Sequence, residues 1–113
     1  MMLAVLILNR EELLESVLEG YLEIGITGAT IVDSVGMGHI LAEDVPVFAG
    51  LRFMFSGNRP YNKTVLSVIQ DEKGPAVKNV LKKILGPLED NGNGILFFIP
   101  VIDAWGLKPE PGS

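Results

Sequence analysis

Two amphipathic helical stripes, each set between apolar runs of strand length, constrain this chain more than any other feature. The first run, Leu3–Leu8, is Leu-Ala-Val-Leu-Ile-Leu, apolar at every position. Such a run reads as a strand covered on both faces, the second cover being a subunit neighbour if the domain itself cannot supply it. Asn9 stands where a helix N-cap belongs, with Glu12 three residues on at the capping-box spacing. From Glu11 to Glu23, the residues Leu13, Leu14, Val17, Leu18, Tyr21 and Leu22 recur at helical spacing, and Glu11, Glu15, Glu19 and Glu23 form the wet stripe. Gly25 suits the position just past the helix end. Ile26–Val35, rich in β-branched residues, predicts a second strand, which Gly36-Met37-Gly38 stops. Lys63–Gln70 predicts a third. Asp71 is placed to cap a second helix, with Pro75 tolerated in its first turn. Val77, Val80, Leu81, Ile84, Leu85 and Leu88 make that helix's buried stripe, while Lys78, Asn79, Lys82 and Lys83 face water. Asp90–Gly94 is a turn and Ile95–Ile102 a fourth strand.

The order is β-α-β, a long connection, then β-α-β. Two such halves make a ferredoxin-like βαββαβ sandwich: an α+β fold with an antiparallel sheet and two helices on one face. The chain has 113 residues, the size of one domain with one core, so residues 1–113 are read as a single unit. Hydrophobic residues make up 48% of it, too many for disorder. Because the strands are apolar on nearly every residue, the sheet's second face is expected to pack against other subunits. The connection, about 39–62, is broken by Pro46, Gly50, Gly57 and Pro60, yet its middle carries Val45, Val47, Phe48, Leu51, Phe53, Met54 and Phe55. That stretch is expected either to extend strands and pack on the assembly or to dock a partner. The tail 108–113 is expected to be flexible.

Charge and residue types narrow the function. Nine Lys and Arg against 14 Asp and Glu leave a net charge of −5, a poor balance for binding nucleic acid, whose affinity comes largely from neutralising phosphates. With no cysteine there is no disulfide, thiol nucleophile or thiolate metal site. His39 is the only histidine; Glu43 and Asp44, four and five residues on, are its nearest approach to a metal constellation, and a polar loop role is the simpler reading. No nucleophile elbow or phosphate-loop motif occurs, so no catalytic residue is assigned. Arg10 and Asn9, the pair an acyl-phosphate enzyme of this topology would need, are better explained as the start of a helix. Two glycine clusters point elsewhere: Gly36-x-Gly38 after the second strand and Gly92-x-Gly94 before the fourth let backbone N–H groups approach an anion.

The stretch Gly25-Ile26-Thr27-Gly28-Ala29-Thr30-Ile31, followed by Val35-Gly36-Met37-Gly38, resembles the signature of the nitrogen-regulatory PII signalling family. Gly92-Asn93-Gly94-Ile95-Leu96-Phe97-Phe98-Ile99-Pro100-Val101 is similar to that family's segment between its second helix and fourth strand. The resemblance implies a homotrimer of ferredoxin-like subunits whose clefts bind adenine nucleotides and whose long loops dock on transporters or metabolic enzymes. By that resemblance Leu8 and Thr30 lie near the adenine. Gly36, Met37, Gly38 and His39 face Gly92 and Gly94 across a phosphate cradle, and Lys108 stands where the family has a phosphate-binding arginine. The chain departs from the family at several positions. His39-Ile40 replaces the Arg-Gln that follows the first glycine pair, Ile95 replaces a lysine, and Trp105-Gly106-Leu107-Lys108-Pro109-Glu110 replaces an arginine-rich signature. Each cation lost removes charge-assisted bonds of about 1.5–3 kcal/mol to a phosphate, so AMP or ADP is the expected guest rather than ATP.

The reading is a divergent PII-like regulator, not an enzyme, acting on a transporter or enzyme partner through residues 40–59. The alternative is a CutA-like trimer of related fold linked to divalent-metal tolerance. Met1–Leu8 lacks a basic flank and is too short to span a bilayer, so a cytoplasmic protein without direct membrane insertion is expected.

Overall fold

The computed structural model describes residues 1–44 and 61–108. They form β1 (Met2–Leu8), α1 (Leu14–Glu23), β2 (Thr30–Val35), α2 (Met37–Asp44), β3 (Tyr61–Ile69), α3 (Gly74–Leu85), α4 (Leu88–Asn91) and β4 (Gly94–Pro100). The architecture is α+β, compatible with a ferredoxin-like arrangement. One four-stranded sheet runs in the order β2-β3-β1-β4, and all three of its pairings are antiparallel. The apolar connection 45–60 and the tail beyond Lys108 lie outside the described residues.

Antiparallel partners share a sheet face, so the register sorts the side chains. Ala4, Leu6 and Leu8 lie opposite Ser67, Val65 and Lys63 on one side and Phe98, Leu96 and Gly94 on the other. This face meets α1 and α3, where Val17, Tyr21, Val77, Leu81 and Leu85 complete the core. Leu6, Leu8, Val17, Val65 and Val77 are wholly buried, and burial of each such side chain is worth about 1.5–3 kcal/mol. The helix spacing read from the sequence falls where expected at Val77, Leu81 and Leu85, which are buried, and at Val80 and Ile84, packed at the margin; Leu88, expected on the same helix, instead opens α4 past Gly86. α1 and α3 touch where Gly20 lacks a side chain; a Cβ there would stand 2.8 Å from both Ile84 Cδ1 and Val80 Cγ2.

The opposite face carries Val5, Leu66, Val68, Ile95, Phe97 and Ile99, the alternate residues of the same strands. No described helix covers it. Val32, Ile95, Phe97 and Ile99 are 40–58% exposed, whereas Val5, on a central strand, is buried.

Several local expectations are corrected. Asn9 caps nothing: α1 is preceded by a 3₁₀ turn, Glu11–Leu13, whose N-cap is Arg10 without a side-chain cap, and the Asn9 amide is used elsewhere. Asp71 likewise makes no cap; its carboxylate pairs with the Met1 ammonium at 2.8 Å. β2 starts at Thr30 rather than Ile26, because the Ile26 N–H bonds the Tyr21 carbonyl and its side chain is drawn into the core. The following carbonyl of Gly28 accepts from Ser67 Oγ at 2.6 Å. β4 starts one residue early, at Gly94, and ends at Pro100. The largest correction concerns the connection, whose first part is not a loop: Met37–Asp44 is helical, opened by bonds from the His39 and Ile40 amides to the Gly36 carbonyl.

Candidate functional site

The two glycine clusters lie at one end of the sheet. β2 ends at Val35, opposite Tyr61, and β4 begins at Gly94, opposite Leu8. They occupy opposite edges, three strand spacings or about 14 Å apart. A row of side-chain hydrogen bonds bridges that gap across β3 and β1. Thr64 Oγ1 and Ser34 Oγ are 2.8 Å apart, and Ser34 Oγ donates to Asn62 Oδ1; with its single proton so used, Ser34 accepts from Thr64. Asn62 Nδ2 donates to Asn9 Oδ1 at 3.4 Å, and Asn9 Nδ2 donates to the Gly92 carbonyl at 2.9 Å. The Asn9 amide N–H adds a backbone bond to the Asn93 carbonyl at 2.9 Å.

Gly92 itself needs its glycine, since φ is +67° in the left-handed region. Beside it, Asn91 Nδ2 and Asn93 Nδ2 each reach the Leu85 carbonyl at 2.8 Å, tying the turn to the end of α3. Gly94 is required for a different reason: a Cβ there would come within 2.7 Å of the Ile7 carbonyl oxygen on the paired strand. Gly36 and Gly38 are not among the positive-φ glycines. They open α2, so Gly38, expected in the phosphate cradle, is a buried helical residue.

The remaining expected residues scatter. Leu8 is wholly buried beneath the helices, out of reach of any ligand at the surface. Thr30 is exposed at the start of β2, opposite Leu66, four residues before Ser34 of the polar row. Met37 is exposed at the first turn of α2, and His39 stacks on Tyr61 with ring centroids 5.2 Å apart at 54°. Lys108 is exposed in the tail, which leaves β4 at the far end, beside Met2. Among the described residues no group of three His, Asp or Glu converges as metal ligands do.

Among the described residues, Arg10 and Lys63, the cations of this end, are already engaged. Arg10 pairs with Glu12, and Lys63 pairs with Asp33, the hydrogen bond to Asp33 raising the lysine pKa above its ordinary value. A ligand phosphate would compete with those carboxylates, which favours a guest of low charge. Sequence reading missed Asn62, Ser34 and Thr64. The signal was present, since Asn62 and Thr64 interrupt the apolar pattern of β3, but strand alternation alone cannot say whether a polar residue faces solvent or a partner.

Among the described residues no helix is long and apolar enough to cross a membrane. Comparison with protein-family models gives no match, and neither does a search of curated proteins.

Proposed function

We propose that the chain is a PII-like regulatory protein of ferredoxin-like fold. It acts as a homotrimer that senses an adenine mono- or diphosphate at subunit clefts and reports occupancy to a transporter or metabolic-enzyme partner through residues 40–59. One observation carries the reading. The row Thr64–Ser34–Asn62–Asn9–Gly92 runs from β2, two residues before Gly36, to the Gly92 turn, at the end of the sheet where the 45–60 connection departs after α2 and returns at Tyr61. A ligand seated against either end of that row bears on groups hydrogen-bonded to the foot of that connection, which is how a bound anion acquires leverage over a loop. The exposed apolar sheet face supports the trimer, because a face of this kind is stable in water only when covered.

Titration calorimetry with AMP, ADP and ATP tests the ligand. AMP or ADP should bind no more weakly than ATP; ATP binding at least tenfold tighter (about 1.4 kcal/mol) would refute the choice of guest. Asn62→Ala should weaken binding of the preferred nucleotide while leaving the assembly's mass unchanged. If none of the three nucleotides binds at millimolar concentration, the functional reading fails and only the fold stands.

A further inference from the structure

A groove of about 940 Å³ runs between α3 and the outer edge of β4. Met2, Leu88, Leu96 and Phe98 give it an apolar floor, and Lys78 and Lys82 stand on its rim. β4 is an edge strand, so one row of its backbone N–H and C=O groups faces this groove with no strand beside it. The same chain carries a segment suited to fill it. Past Pro100 the tail presents Ile102 and Trp105 at 101% and 103% exposure and Leu107 at 55%, so Ile102 and Trp105, the latter the only tryptophan, touch nothing in their own subunit. The tail does not turn back into its own groove: the Val101 N–H bonds the Met1 carbonyl, extending the β1–β4 pairing by one step and directing the chain onward past the sheet.

We propose that the tail of one copy lies in the α3–β4 groove of a second copy, Trp105 and Leu107 anchoring it on the apolar floor and Asp103 meeting the Lys78–Lys82 rim. Lengths agree. Eight residues, 101–108, span up to about 26–29 Å extended, and the seven residues of β4 run about 23 Å. The lining holds Asp71 and Glu89 beside Lys78 and Lys82; Asp71 is taken by the Met1 ammonium, and the exposed Asp103 is left to meet the two exposed lysines. A large aromatic seated in an apolar pocket is the usual anchor of such contacts. The contact is head-to-tail, and in a trimer it closes into a ring of three. It goes beyond the regulatory reading, requires no nucleotide, and uses a surface separate from the open sheet face.

Because Trp105 is the only tryptophan, its fluorescence reads the contact alone, while particle mass reads association through the sheet face. Two full-length variants divide the interface. Lys78→Glu/Lys82→Glu keeps the tail and spoils the groove; Ile102→Ser/Trp105→Ser/Leu107→Ser keeps the groove and is tryptophan-free. At micromolar concentration the parent protein should emit at short wavelength and resist acrylamide quenching. The rim variant should emit as a water-exposed indole, its tail contact weakened at least ~tenfold by like-charge opposition. Adding the tryptophan-free variant to the rim variant should restore the short-wavelength emission in a saturable manner. Water-exposed emission from the parent, an unshifted rim variant, or failure of the mixture to restore the signal would each overturn the proposal. The last outcome would place the tail in its own groove. Far-UV spectra check that both variants fold, and Lys78→Ala/Lys82→Ala replaces the charge reversal if it does not.

Discussion

The two faces of the sheet are made by the same strands and have opposite fates. On one, Ala4, Leu6, Leu8 and Val65 are at 0% exposure beneath α1 and α3; on the other, Ile95, Phe97 and Ile99 stay 40–58% exposed. Neighbouring residues of one strand therefore experience a finished core and an unfinished one. The difference teaches that hydrophobic content in this chain exceeds what its described helices cover: the covered face carries the fold's stability, and the open face is the one the proposed association would use.

The largest effect should come from the finished side. Leu6→Ala removes side-chain volume from the centre of the core and should destabilise the fold by about 2–5 kcal/mol in denaturant titration. An equal loss from Ile99→Ala on the open face would erase the distinction between the faces. Overpacking sharpens the same point: Gly20→Leu forces a side chain into the α1–α3 contact and should cost about 1–3 kcal/mol or more, because Val80 and Ile84 already occupy that space.

An intermediate effect depends on pH. Tyr21 is buried with no hydrogen-bond partner for its hydroxyl among the described residues, and burial raises its pKa from 10.0 to about 12. The unfolded chain thus releases this proton near pH 10 while the folded one holds it. Tyr21's contribution to stability is level below pH 10 and falls between about pH 10 and 12, by roughly 2–3 kcal/mol in total. Tyr21→Phe should abolish that part of the alkaline loss and raise stability near neutrality by about 1 kcal/mol or more, since the unsatisfied hydroxyl is gone. Parallel pH–stability curves for parent and variant would contradict the assignment.

The open face should show the smallest effect on folding and the clearest on assembly. Ile99→Lys should change the stability of the isolated chain by no more than about 1 kcal/mol while lowering the particle mass. A variant that keeps the parent mass would remove this face from the interface.

What the residues disclosed in advance divides along similar lines. Elements with strong periodicity were legible: β1 from its unbroken apolar run, α1 and α3 from stripes that the core bears out at Val17, Tyr21, Val77, Leu81 and Leu85. α2 was not, because Gly36 and Gly38 have low helix propensity and read as a stop, whereas in the fold the Gly36 carbonyl accepts the first turn. Asn9 shows how a local rule loses to a long-range bond. Its spacing to Glu12 fits a capping box, yet its amide reaches Gly92, 83 residues away. Of the candidate site, the end of the sheet shared by the two glycine clusters was legible; the helix that Gly36 opens and the polar row beside it were not, since Ser34, Asn62 and Thr64 become neighbours only through strand register.

The account rests on copies of this chain covering what one copy leaves bare. Light scattering of the purified protein at low micromolar concentration measures that directly. The account predicts three times the chain mass, as the trimeric reading requires and as obligate interfaces of ~2,000 Å² or more sustain at such concentrations. A particle of one chain mass would contradict it.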